Sequence, residues 1–163
     1  MQNIVVNTRQ LLPSVLTETL PKRLCEEVEK SVPVGEMVEE LRLRRGRCAS
    51  LTVGGRNLRL STVFSGVEMD DLLLRFCEGS LYAHSETISQ GYLTLKGGIR
   101  VGVCGRAGVS EGSVTGVSQI SALSIRIPHP APPVGEEIAL LLHRFALTRG
   151  VLIYAPPAKR EQT

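Results

Sequence analysis

The sequence predicts an α/β fold, more narrowly α+β, with a mostly antiparallel sheet and flanking helices, followed by the start of a second domain. Two glycine pairs, Gly54-Gly55 and Gly97-Gly98, separate short runs of alternating polar and apolar residues, which is typical of β-hairpins. Between these runs, apolar residues recur at helical spacing. A proline-rich stretch then favours an extended linker. We therefore expect domains at residues 1–128 and 136–163, joined by a linker at 129–135.

The first predicted helix begins at Pro21, because proline suits a helix start, where the backbone N–H has no helical partner. Leu24 and Val28 give this helix an apolar stripe, and Pro33 ends it. Residues 40–44 then alternate between polar and apolar side chains, which predicts a half-buried strand.

Two more strands are predicted over residues 51–53 and 58–60, with the first glycine pair between them. Ser65 and Glu68 have the spacing of a capping box, in which each side chain bonds the other residue's backbone N–H. Gly79 is a suitable helix stop. The helix between them carries a stripe of apolar residues at helical spacing, namely Met69, Leu72, Leu73, Phe76 and Cys77.

After a short helical turn over residues 85–90, strands are predicted over 92–95 and 100–106, with the second glycine pair as their turn. A weaker strand over 114–117 and another over 122–127 follow. No helix follows the glycines in this segment, so we interpret them as turn and strand-packing residues and not as a phosphate cradle. These glycines are Gly97, Gly98, Gly102 and Gly105.

The second domain is predicted to begin with a helix over residues 136–146, which has two glutamates in its first turn. A continuous apolar run over 150–154 is typical of a buried strand in a parallel sheet. This strand leads into Ala155-Pro156-Pro157, and the last six residues, 158–163, are polar or charged. The apolar face of the helix is formed by Ile138, Leu141, Leu142 and Phe145.

Composition indicates a cytoplasmic protein with a core of aliphatic side chains. Of the 163 residues, 42% are hydrophobic but only 4% are aromatic. We find neither an apolar run long enough for a transmembrane helix nor a secretory signal. The four cysteines are too widely spaced for a zinc site, so we expect buried or partly buried thiols and no metal. No group of side chains has the pattern of a catalytic site.

The most basic stretch of the chain contains six arginines within eighteen residues, while the net charge is only +3. Three interpretations remain open: a solvated surface, a subunit or partner surface, and a nucleic-acid surface that binds phosphates. The absence of interleaved aromatic residues for base stacking argues against nucleic acid. The arginines of this predicted basic surface are Arg42, Arg44, Arg45, Arg47, Arg56 and Arg59.

Three stretches of sequence carry a resemblance to a known family. They are ELRLRRGR at residues 40–47, the segment 79–106 that contains GSLYAH, QGYLTL and GGIRVGVCGR, and ISALSIRI at residues 120–127. Together they resemble the stage III sporulation protein AA family of endospore-forming bacteria. The resemblance extends over nearly the whole chain up to Pro157.

That family is similar to the ATPases of type II secretion and type IV pilus machines. The resemblance implies an N-terminal α/β domain followed by a RecA-like domain, a hexameric ring, and bound ATP and Mg²⁺. It also implies that the protein acts in the mother-cell cytoplasm, with membrane components of the mother cell–forespore channel as partners. By the same resemblance Arg100, Arg106 and Arg126 face the nucleotide of a neighbouring subunit, and Ala155-Pro156-Pro157 lead into the phosphate-binding loop.

The last six residues depart from the family pattern. Where the family has a glycine-rich loop ending in Gly-Lys-Thr, this sequence reads AKREQT. Such a loop needs glycine, because a Cβ would obstruct the close approach of backbone N–H groups to phosphate. We therefore expect the N-terminal part of such an ATPase with a truncated RecA-like domain, without a bound cofactor and without ATP hydrolysis. The alternative is a nucleic-acid-binding module that uses the surface from Arg42 to Arg59.

Overall fold

The computed structural model describes residues 11–129 and 135–144. The chain falls into two units, residues 1–129 and 130–163. The first unit contains helices α1 (Ser14–Thr19), α2 (Lys22–Ser31), α3 (Gly66–Phe76) and α4 (Ser85–Ser89), and strands β1 (Val38–Arg44), β2 (Arg47–Val53), β3 (Arg56–Val63), β4 (Tyr92–Thr94), β5 (Arg100–Ser110) and β6 (Ser113–Arg126). The second unit contains helix α5 (Glu136–Arg144).

The six strands form one sheet in the order β3-β2-β1-β6-β5-β4, and every neighbouring pair is antiparallel. The prediction of a mixed fold on an antiparallel sheet is therefore confirmed. The two central strands are far apart in the chain, with Leu41 of β1 opposite Ile125 of β6. This pairing joins a β1-β2-β3 meander to the β4-β5-β6 strands.

One face of the sheet forms the core with the helices. Along β1, Leu41 and Leu43 are fully buried and Arg44 is exposed, as the alternation of the sequence predicts. The buried residues form a single cluster that includes side chains from all six strands and from α1 to α4. Its largest fully buried members include Phe64, Leu16, Leu24, Leu41, Leu43, Leu51, Met69 and Leu123.

The residues predicted to form the first hairpin turn and the two ends of α3 adopt the predicted structures. Gly54 and Gly55 both have positive φ, at 54° and 72°, which a tight hairpin turn requires. At the start of α3, Ser65 and Glu68 form the reciprocal bonds of a capping box. The helix ends before Gly79, which has φ 83° and donates its N–H to the carbonyl of Leu74 at 3.0 Å.

A carboxylate from α2 bonds to β3 where the pairing of β3 with β2 is irregular. Glu27 accepts hydrogen bonds from the backbone N–H and the hydroxyl groups of both Ser61 and Thr62, including 3.0 Å from Thr62 N. Burial opposes ionisation of this carboxyl group, but the four hydrogen bonds outweigh it and lower the pKa of Glu27 to about 2. Ser61 and Thr62 lie at the register shift between β2 and β3, so a charged side chain satisfies backbone N–H groups where the strand pairing is irregular.

The structure differs from the sequence-based expectation in the length of β5 and β6. The sequence predicts separate strands at 114–117 and 122–127, but β6 is continuous from Ser113 to Arg126, and β5 extends to Ser110. Residues 104–115 are all exposed, so this part of the hairpin has no buried face to give it an alternating pattern. Helix α1 was also missed, because six residues are too few to show a helical period.

The remaining predictions concern the linker and the predicted second domain. The structure has α5 over Glu136–Arg144 where a helix was predicted over 136–146. The predicted strand at 150–154, Ala155-Pro156-Pro157, and residues 130–134 of the linker lie outside the described residues. The domain boundaries remain a prediction.

Replacing Gly105 with alanine is expected to destabilise the β5–β6 hairpin. A Cβ at Gly105 would lie 2.6 Å from the carbonyl oxygen of Ser118 and 2.7 Å from a methyl group of Val117, so one strand must shift. We expect a loss of about 1–2 kcal/mol in the free energy of unfolding, measured by urea denaturation. Gly116→Ala is the matched control, because a Cβ there meets nothing within 4 Å. Equal losses in the two variants would contradict close packing at Gly105.

Candidate functional site

The face of the sheet opposite the helices carries mainly polar and charged side chains, most of which are exposed or half-buried. Directly paired residues of an antiparallel sheet lie on the same side, so the strand register shows which side chains this face presents. One row across the sheet consists of Asn57, Thr52, Glu40, Arg126, Arg100 and Thr94. The next row consists of Arg59, Ser50, Arg42, Ser124, Gly102 and Tyr92. We call these two rows, together with Arg44 and Arg47 beside them, the open face.

Glu40 is a buried carboxylate near the centre of the open face, with 9% of its surface exposed. It accepts hydrogen bonds from the guanidinium of Arg42 and the hydroxyl of Ser124, and Arg126 Nε lies 3.7 Å from its Oε1. Burial opposes ionisation, but these hydrogen bonds and the two arginine charges outweigh it and lower the pKa of Glu40. Glu40 is therefore ionised and holds two arginines in place.

Arg100 and Arg126 face each other across β5 and β6. They line a concavity of about 460 Å³ together with Tyr92, Gly102 and Ser124. The absence of a side chain at Gly102 leaves space between the two guanidinium groups and Tyr92. Like charges that are directly opposite destabilise a sheet, so this arrangement favours binding of an anion. Among the described residues, Arg100 has no ion-pair partner, and Arg126 has only Glu40.

The structure does not bring Arg106 to this pair. Arg106 lies opposite Ser118, beyond a register shift that follows Cys104. It is six residues along β5 from Arg100, which corresponds to about 20 Å of extended strand. Of the three arginines that the resemblance assigns to a nucleotide, two are adjacent and one is distant.

Four of the six arginines of the predicted basic surface surround a second concavity of the open face, with a volume of about 580 Å³. These are Arg42, Arg44, Arg47 and Arg59, and no carboxylate lines this concavity. Arg42 donates to Asn57 Oδ1 at 3.1 Å, and Arg59 lies 3.4 Å from Cys48 Sγ. The strand pairing of β1, β2 and β3 brings these arginines together.

The other two arginines of the predicted basic surface point elsewhere. The guanidinium of Arg45 lies against Gly66 at the start of α3. Arg56 forms an ion pair with Glu36. These two side chains therefore do not contribute to the charge of the open face.

Sequence reasoning missed Glu40 as a functional residue. The available signal was an acidic residue at a polar position of a strand whose other polar positions are arginines. Its role depends on Ser124 and Arg126, which are more than eighty residues away, so the signal could not be interpreted locally.

The described residues contain no candidate metal site. All four cysteines are free thiols. The expectation of buried or partly buried thiols is wrong for Cys104, which lies in the exposed part of β5. No group of three or more potential ligands is close together within residues 11–129 and 135–144. In the same part of the chain, no helix has the length and apolar character needed to cross a membrane.

These features define a mixed α/β domain whose sheet has one face packed on helices and one face rich in arginine. A family model described as "Sporulation stage III, protein AA" matches residues 7–163. The chain therefore belongs to the stage III sporulation protein AA family.

Two comparisons place the chain beside known proteins. Stage III sporulation protein AA of Bacillus subtilis (strain 168) is 29% identical over 152 residues, which cover 93% of this chain and 48% of that protein. The chain thus spans about half the length of that relative. The X-ray structure of the Legionella pneumophila ATPase DotB is 17% identical, with a TM-score of 0.34 over 59% of this chain and 26% of that chain. A structural similarity this low has no bearing on function.

Proposed function

We propose that this chain provides the N-terminal domain of a RecA-like secretion ATPase that acts in endospore formation. In this proposal, the RecA-like domain begins near residue 136 and binds ATP and Mg²⁺ through a loop that follows Ala155-Pro156-Pro157. The longer protein forms a ring of identical subunits, hexameric as in secretion ATPases. It acts in the mother-cell cytoplasm with membrane components of the channel to the forespore.

The observation that carries the proposal is the Arg100–Arg126 pair on the open face. Of these two guanidinium groups only that of Arg126 has a carboxylate partner among the described residues, Glu40, so the pair leaves an excess positive charge beside an open concavity. An arginine placed against a transferring phosphoryl group stabilises the charge that develops in the transition state. Membership of the sporulation family supports the cellular role.

ATP hydrolysis tests the proposal in two arms. Residues 158–163 contain no glycine, so residues 1–163 alone are expected not to hydrolyse ATP. A protein in which residues 1–157 continue into a glycine-rich phosphate loop and a RecA-like core is expected to hydrolyse ATP with Mg²⁺. In that protein, Arg100→Ala and Arg126→Ala are each expected to lower kcat by about 100-fold or more.

Arg106→Ala is the matched control, because it removes the same charge from the same strand at a distant position. We expect it to change kcat much less than the other two substitutions. Unchanged kcat in both the Arg100 and the Arg126 variants would contradict a nucleotide-facing role. Mg²⁺-dependent hydrolysis by residues 1–163 alone would contradict the first arm.

A further inference from the structure

Charge is separated between the two sides of the first unit. Helices α1 to α4, which we call the helix layer, contain eight acidic and four basic residues. The six strands contain two acidic and eight basic residues. Over residues 11–129, fourteen lysines and arginines nearly balance thirteen aspartates and glutamates. The unit is thus almost neutral but strongly polarised.

The open face and the helix layer both carry charged side chains that make no ion pair among the described residues. On the open face, Arg44, Arg47 and Arg59 make no ion pair with the residues that the structure describes. In the helix layer, Glu18, Glu29 and Glu86 are exposed and are likewise without an ion pair in that part of the chain. Each side can therefore offer charge to a partner without breaking an ion pair among the described residues.

We infer that the part of the open face formed by β1, β2 and β3, around Arg44, Arg47 and Arg59, binds the helix layer of a second copy of this chain, head to tail, with the Arg100–Arg126 pair outside the contact. Such a contact joins two different surfaces, so every copy keeps one free surface of each kind and can bind a further copy. The inference builds on the proposed assembly of identical subunits and identifies the two surfaces involved.

Charge complementarity favours a second copy over nucleic acid as the partner. Complementary potentials accelerate and orient association, and the helix layer supplies a complementary surface on the same chain. Because the unit is nearly neutral, two copies do not repel each other at long range. The open face contains a single aromatic residue, Tyr92, so it lacks the stacking surface that a single-stranded nucleic acid would use.

A charge-swap experiment tests the inference with the 163-residue chain. The first variant carries Arg44→Glu, Arg47→Glu and Arg59→Glu, which make the open face acidic. The second carries Glu18→Lys, Glu29→Lys and Glu86→Lys, which make the helix layer basic. Circular dichroism confirms that both variants fold. Sedimentation velocity then measures association of each protein alone and of an equimolar mixture, at about 0.05 M and about 0.5 M salt.

We expect the unaltered chain to associate at low salt, with an association constant that falls about tenfold or more at high salt. Each variant alone is expected to be monomeric, because its two surfaces have the same sign. The mixture is expected to associate, because each variant offers the surface that the other lacks. A control variant with Arg56→Glu, Lys96→Glu and Arg106→Glu removes equal charge away from both the open face and the helix layer, and it is expected to associate like the unaltered chain.

The inference would be overturned by a monomeric chain at low salt, by self-association of both swapped variants, or by a mixture that remains monomeric. It would also be overturned if the chain does not self-associate but binds a single-stranded oligonucleotide in a salt-dependent way, and the first variant loses that binding. None of these readouts depends on ATP hydrolysis. The proposed function can therefore fail or survive independently of this contact.

Discussion

Replacing Phe64 with alanine is expected to lower the free energy of unfolding by about 3–5 kcal/mol. Phe64 is fully buried and follows β3 directly, where its carbonyl accepts the N–H of Gly46 at 2.8 Å. Its ring packs in the core, and the Arg23 guanidinium lies 5.5 Å from the ring centroid. Truncation leaves a cavity that the surrounding strands and helices cannot fill completely. Urea denaturation monitored by circular dichroism measures the loss.

Two further variants separate the contributions at this position. Phe64→Leu keeps most of the apolar volume and is expected to cost less than the alanine variant. Arg23→Ala removes the cation–π contact together with the ion pair to Glu68, and it is expected to cost about 0.5–1 kcal/mol, since the arginine is largely exposed. A loss below about 1 kcal/mol for Phe64→Ala would show that the ring is not a central part of the core.

Glu40→Gln is expected to lower the free energy of unfolding by about 2–3 kcal/mol at neutral pH. The amide keeps the shape of the side chain but removes the charge that holds Arg42 and Arg126, which then repel each other. Urea denaturation at low and high salt measures the effect, and salt is expected to reduce it by screening the exposed Arg126. Glu39→Gln removes the same charge from the neighbouring residue of β1 and is the control. Among the described residues, the carboxylate of Glu39 accepts one hydrogen bond, from the N–H of Gly55 at 3.0 Å.

The stabilising effect of Glu40 depends on pH in a defined direction. Because the pKa of Glu40 in the folded protein lies below the unfolded value of about 4.3, its contribution is fully present above that value. It is lost as the pH falls through the folded-state pKa. The difference in stability between the unaltered chain and Glu40→Gln is therefore expected to shrink in acid. A difference that stays constant from neutral pH down to about pH 2 would contradict an ionised Glu40.

Features that depend on neighbouring residues were predictable from the sequence. The capping box needs only Ser65 and Glu68, and the first hairpin needs only two glycines that accept positive φ. The alternation around Leu41 and Leu43 correctly predicted the buried face of β1. In each case the physical cause lies within a few residues of the structure that it produces.

Features that depend on distant residues were not predictable. No local pattern indicates that β1 pairs with β6, yet this pairing places Arg126 and Ser124 beside Glu40 and aligns the arginines of the open face. The arginine candidates were identified individually, but the separation of Arg106 from Arg100 and Arg126 depends on the register between β5 and β6. The exposed end of that hairpin lacks an alternating pattern because neither of its faces is buried.

The position of Glu27 has a consequence for how the domain can associate. Because its carboxylate occupies the N–H groups of Ser61 and Thr62, an incoming polypeptide cannot pair with this part of β3 without first displacing a charged group. The irregular, carboxylate-bonded backbone at Ser61 and Thr62 therefore opposes extension of the sheet at this part of β3, the route by which many β-rich proteins polymerise into fibrils. A single charged side chain on α2 thus disfavours uncontrolled polymerisation through β3.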